Sequence, residues 1–150
     1  MIDYTVETPI DRPAGEVFAY VADPANLPSW QTNTVSATLE TPGPMGVGSR
    51  LREVHRGPGG KEFPSLVEVA EYEPGRRFAL RVIEGIPVHA DMTFEPTAAG
   101  GTLFAFRAHG RLTGAMRLAE PFIARMLRKQ FTEHCGTLRQ VLEQRPAAAA

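Results

Sequence analysis

Period two along Leu51-Arg52-Glu53-Val54-His55 places Leu51, Glu53 and His55 on one side of a strand. If Leu51 points into an apolar interior, a carboxylate and an imidazole follow it there. A buried carboxylate beside an imidazole is equipped for general acid–base work. The opposite parity turns Arg52, Val54 and Arg56 inward, and a position at the open rim would leave the pair in water. Fully buried charge is rare, which weighs toward these two readings.

The other titratable residues point less clearly to chemistry. His89 and Asp91 share a strand face, but it lies opposite Val88, Ala90 and Met92, as a solvated outer face does. His109 and Arg107 fall on the outer side of the last strand. His134 and Cys135 are neighbours on a helix and diverge by about 100°. Cys135 therefore packs and His134 sits at the edge of the buried stripe. Nothing in the local pattern supplies Cys135 with a base or a lowered pKa. The four histidines are scattered, with no HxxxH or CxxC spacing, so no metal is expected. Gly43-Pro44-Met45-Gly46-Val47-Gly48 lacks the Lys-Ser/Thr that completes a phosphate loop, and no Gly-x-Ser-x-Gly elbow occurs. No cofactor is expected.

These residues have to be held by a scaffold, and hydrophobic periodicity outlines one. Asp3 to Ile10 alternates as a strand, with Tyr4, Val6 and Thr8 on one side. Asp11 is placed to cap a short helix that carries Pro13 in its first turn and presents Val17, Phe18 and Val21. A second short helix turns Leu27 and Trp30 inward. Strands follow over 32–40, 49–56, 61–72, 77–84, 88–95 and 102–110, separated by Gly and Pro turns, with Pro64 at a bulge or an edge.

A helical pattern then runs from Ala115 to Gln144. Its apolar stripe includes Met116, Phe122, Met126, Leu127, Phe131, Cys135, Leu138 and Leu142. About 30 helical residues span roughly 45 Å. Pro121 should kink or restart the helix near 118–120. A lone long helix must bury its stripe, and only the sheet is available to cover it. The fold class is therefore α+β: a curved antiparallel sheet of six to seven strands around a long C-terminal helix, with two short helices after the first strand.

Such an arrangement leaves room between helix and sheet. Its expected lining is Trp30, Leu51, Phe63, Phe78, Leu80, Met92, Phe104 and Phe106 from the sheet side, and Met116, Phe122 and Met126 from the helix. Aromatic and methionine side chains suit a flat or greasy ligand.

Composition narrows the function classes. At 150 residues the chain is one domain by size, and 43% hydrophobic with 22% charged residues is ordinary for a globular protein. A formal net charge of −1 gives no basic excess for nucleic acid. A single cysteine, Cys135, excludes an internal disulfide and fits a reducing compartment; with no secretory leader pattern, a cytoplasmic location is expected. No apolar run reaches membrane-spanning length. The domain is expected to cover 1–145, with a disordered tail over 146–150, and the outer sheet edges would allow a monomer or a homodimer.

Several strings resemble one family. They are Pro13 to Asp23 followed by Leu27-Pro28-Ser29-Trp30, then Gly46-Val47-Gly48-Ser49-Arg50-Leu51, Val69 to Phe78, and Phe131 to Glu143. Together they resemble the START-like (SRPBCC) superfamily, in its polyketide cyclase/dehydrase-like branch. The resemblance implies a helix-grip fold and a cavity for a small hydrophobic molecule, lipid or polyketide-like. Either plain binding or cyclase/dehydratase chemistry is compatible with it.

Overall fold

The computed structural model describes residues 1–146, so all but Pro146 of the tail expected at 146–150 lies outside the described residues. The strands are β1 (Ile2–Ile10), β2 (Thr34–Leu39), β3 (Arg50–Arg56), β4 (Glu62–Glu73), β5 (Arg77–Glu84), β6 (Val88–Pro96) and β7 (Thr102–Gly110). The helices are α1 (Ala14–Ala22), α2 (Leu27–Trp30) and α3 (Glu120–Gln144). The strands form one antiparallel sheet in the order β1-β7-β6-β5-β4-β3-β2. This is the expected helix-grip fold, with short helices after β1 and a long closing helix.

Alternation sets the inner face. On β1, Ile2, Tyr4, Val6, Thr8 and Ile10 are buried and the residues between them are exposed. The register carries that face across the sheet through Phe104 and Phe106 on β7, Met92 and Phe94 on β6, and Phe78 on β5. The outer face is polar. Arg107 donates to Asp3 at 3.0 and 2.9 Å, and Asp91 lies 2.9 Å from His109. The His89–Asp91 and Arg107–His109 faces are thus the solvated ones. Bulges between Leu66 and Val67 and between Val69 and Glu71 bend β4 and give the sheet its curve. Pro64 sits where β4 pairs with β3 but has not yet met β5, a local edge.

Two local expectations need correction. Asp11 does not cap α1: Pro13 occupies the cap position with no side-chain bond, and its carbonyl accepts from Glu16 and Val17. Asp11 and Arg12 instead latch the far end of the molecule. The Asp11 backbone N–H donates to the Glu143 carboxylate, and Arg12 donates to the carbonyls of Glu143 and Arg145. The closing helix does restart near 118–120, as Pro121 predicts, but the segment before the restart is not α-helical. A tighter 3-10 segment, Gly114–Ala119, comes first, and α3 begins with Pro121 in its first turn, where the missing N–H costs no helical bond.

Aromatic packing is concentrated at one end. Phe18 of α1 meets Phe94 and Tyr72 edge-on, with centroids 5.1 and 5.3 Å apart, and Trp30 meets Phe104 at 6.4 Å. The helix α3 lies closest to β1 and α2 rather than centrally over the sheet.

Candidate functional site

Leu51 is buried, so strand parity takes Glu53 and His55 inward with it. Glu53 is 7% exposed, while His55 is half-buried near the end of β3. Glu53 Oε1 stands 3.0 Å from His55 Nε2. His55 Nδ1 is 3.1 Å from the Thr34 hydroxyl, which reaches the Gln31 side-chain oxygen at 3.5 Å. The chain Gln31–Thr34–His55–Glu53 serves either protonation state of the imidazole. In the neutral ring, Nε2–H donates to Glu53 and Thr34 donates to Nδ1. In the imidazolium, Nδ1–H donates to Thr34, whose own proton turns to Gln31.

The structure places the expected lining residues in three groups. Trp30, Phe78, Met92, Phe104 and Phe106 are 3% exposed or less and belong to the packed core. Leu51 and Leu80 lie on the inner face, Leu51 buried and Leu80 half-buried, and Phe63 stands at the rim, 45% exposed. On the helix side Phe122 is 72% exposed, Met126 44% and Met116 39%. Phe122 is nine residues from the inward Phe131, a rotation of about 180°, so it faces away from the sheet. It is not a lining residue. The inward positions of the first half of α3 are Ile123, Ala124 and Leu127, all half-buried.

At one end the inner face of β5 and β6 is left partly uncovered, because α3 packs mainly on β1 and α2. Side-chain size explains which end. Along β6 the inner face runs Phe94, Met92, Ala90, Val88; along β5 it runs Phe78, Leu80, Val82. Bulk declines toward the end that holds His55 and Phe63, and Leu80, Val82, Val88 and Ala90 are half-exposed there. At the other end Phe18 and its aromatic neighbours fill the space. A separate depression of 580 Å³ lies beyond them, between α1, Met45 and the Tyr72–Gly75 turn; it holds no acid–base pair.

Sequence reasoning missed three polar residues: Gln31 and Thr34 of the relay, and His134. His134 was expected at the edge of the stripe, yet it is 3% exposed, and neither ring nitrogen has a partner among the described residues. The helix packs on both β1 and α2, and it buries both His134 and Cys135. Burial drives the His134 pKa down to about 4, against a smaller upward pull from Glu133, and the His55 charge lowers it further. Tyr4, whose buried hydroxyl also lacks a partner, is held protonated by desolvation. Burial likewise pushes the Cys135 thiol up to about 11, so it is no nucleophile. Among the described residues no group of His, Cys, Asp and Glu is arranged to hold a metal ion.

A curved antiparallel sheet gripping a long closing helix, with short helices after the first strand, defines a START-like protein. The chain belongs to the family described as polyketide cyclase/dehydrase and lipid transport, whose model matches residues 1–143. The fold is similar to that of TTHA0849 from Thermus thermophilus, at 18% identity, 95% coverage of this chain, 99% of that one, and a TM-score of 0.79. It is similar to protein Ms6760 from Mycobacterium smegmatis, at 15% identity, 95% and 91% coverage, and a TM-score of 0.71. It is also similar to the di-domain ARO/CYC StfQ from the steffimycin biosynthetic pathway, at 13% identity and a TM-score of 0.77, covering 95% of this chain and 51% of that one. A search of the curated proteins finds no match. Among the described residues no helix is long and apolar enough to cross a membrane.

Proposed function

We propose that the protein binds a small hydrophobic or aromatic molecule, lipid or polyketide-like, in the cleft between the sheet and α3. The observation that carries this reading is the Glu53–His55 pair, 3.0 Å apart and turned inward beside half-exposed apolar walls. A flat or greasy ligand body would lie on Leu80, Val82, Val88 and Ala90, facing Ile123 and Leu127. Its polar end would meet Glu53 and His55. Apolar area supplies the affinity, and a few convergent polar groups fix the orientation. The test is native mass spectrometry of the protein taken from its host, followed by the same measurement on Glu53→Gln/His55→Asn. A bound apolar molecule at near-stoichiometric amount, retained less well by the variant, is the expected result. An empty wild-type protein that also fails to take up an apolar fluorescent probe would overturn the proposal.

A second reading follows from the relay through Thr34. In a dehydration, the Glu53 carboxylate would take the proton from a carbon beside a carbonyl. The His55 imidazolium would give its proton to the departing hydroxyl, which leaves as water. Thr34 would hold the ring in position through both states. The similarity to the di-domain ARO/CYC proteins StfQ and BexL supports this alternative of cyclase/dehydratase-type chemistry. Under it, Glu53→Gln abolishes turnover while apolar probe binding persists. Under simple binding there is no turnover to lose.

A further inference from the structure

The exposed residues at the cleft mouth form a surface that the cleft does not use. Every residue from Thr113 to Ala119 is exposed, and Leu118 is 90% exposed at the tip of this 3-10 turn. Phe122 follows at 72% on the first turn of α3. The base of the turn is fixed: Glu120 accepts from the Leu112 backbone N–H and pairs with the Met1 amino group. A firmly held projection thus presents leucine and phenylalanine to solvent.

Charge is segregated to the same place. Residues 111–130 hold five cations, Arg111, Arg117, Arg125, Arg128 and Lys129, against the single carboxylate of Glu120, a net of +4. Since the whole chain carries −1, the remainder carries −5. All five cations are exposed, and among the described residues none forms an ion pair. Arg125, Arg128 and Lys129 border a shallow depression on the outer side of α3 together with Thr132 and one carboxylate, Glu133, so cations outnumber the anion three to one there. Helical rotation puts Phe122, Arg125 and Lys129 within about 60° of one another. Phe122, Arg125 and Lys129 therefore share one exposed face of α3, with Arg128 on its flank.

We propose that this surface docks the protein on an anionic lipid bilayer, with Leu118 and Phe122 in the interface and the five cations on the headgroups. Charge complementarity selects the partner: a membrane offers negative charge at every position, whereas a protein would need carboxylates matched to five separate cations. A fluid interface also accepts two projecting side chains without preformed pockets. Docking of this kind holds whatever the cleft binds.

The test is sedimentation of the full chain with vesicles of phosphatidylcholine, with and without phosphatidylserine. Association with the anionic vesicles only, weakening as salt shortens the screening length, is the expected result. Arg125→Gln/Arg128→Gln/Lys129→Gln should lower the association about a hundredfold, from about fivefold per charge. Leu118→Ser/Phe122→Ser should lower it about tenfold. All five positions are exposed, and circular dichroism with a thermal melt verifies that both variants fold. Three results would overturn the proposal: no association with anionic vesicles, full association by the serine variant, which would mean a site for polyanions in general, or a wild-type dimer that the serine variant loses, which would make a second copy the occupant.

Discussion

Replacing His134 with leucine should make the protein more stable at neutral pH and less sensitive to acid. The imidazole is 3% exposed and both its nitrogens lack partners among the described residues. An unsatisfied buried polar group costs about 1–3 kcal/mol, and leucine of similar volume removes both. A gain of about 1–3 kcal/mol at pH 7 is expected. The pH dependence follows from the depressed pKa. In the unfolded chain the ring takes up its proton near 6.5, whereas in the folded protein it does so at about 4. Between those values the unfolded state binds more protons. The contribution of His134 to stability is therefore constant above the unfolded value and is lost as pH falls toward about 4. At 1.36 kcal/mol per unit the loss is at most about 3 kcal/mol. Carboxylates titrate in the same range, so the informative quantity is the difference between wild type and His134→Leu. Urea denaturation of both at several pH values between about 7.5 and 4 measures it. Wild type should fall further than the variant, with the gap opening below pH 6.5. Parallel curves would refute the argument that His134 is buried as a neutral imidazole.

Three further outcomes are expected. A Cβ on Gly110 would collide with the Pro87 carbonyl oxygen, so Gly110→Ala should cost about 2 kcal/mol and lower Tm by about 5 °C in a thermal melt. Cys135 is fully buried with its thiol pushed up to about 11, so a thiol-specific reagent near pH 8 should label the native protein at least about a hundredfold more slowly than the urea-unfolded chain; equal rates would contradict the packing of α3 on β1. Ala90→Phe adds bulk where β6 borders the cleft, so it should weaken an apolar fluorescent probe at least about tenfold with little change in Tm; unchanged probe affinity would remove Ala90 from the lining.

Parity and period carried most of the fold. Once Leu51 is assigned to the core, Glu53 follows with no further information, because strand side chains alternate strictly. The alternation of Val88, Ala90, Met92 and Phe94 fixed the inner face of β6 in the same way. The helix was harder, because the boundary of its buried arc depends on what lies to each side. His134 and Cys135 are about 100° apart, and both are buried. The helix packs on both β1 and α2, and α2 is a four-residue helix whose packing partner no local pattern reveals.

Phe122 is the opposite case, since the periodicity already contained the answer. An apolar residue about 180° from Phe131 cannot share its face, and counting hydrophobic residues at steps of three and four let it join the stripe. The same lesson applies to the cleft. A greasy ligand favours aromatic contacts, which points to the aromatic residues as its walls, but bulky residues fill space and so mark the closed end. Phe94 and Met92 giving way to Ala90 and Val88 is where space remains. Glu53 and His55 project from β3 toward that same end. The small residues beside the pair, more than the large ones, are what the proposed binding site rests on.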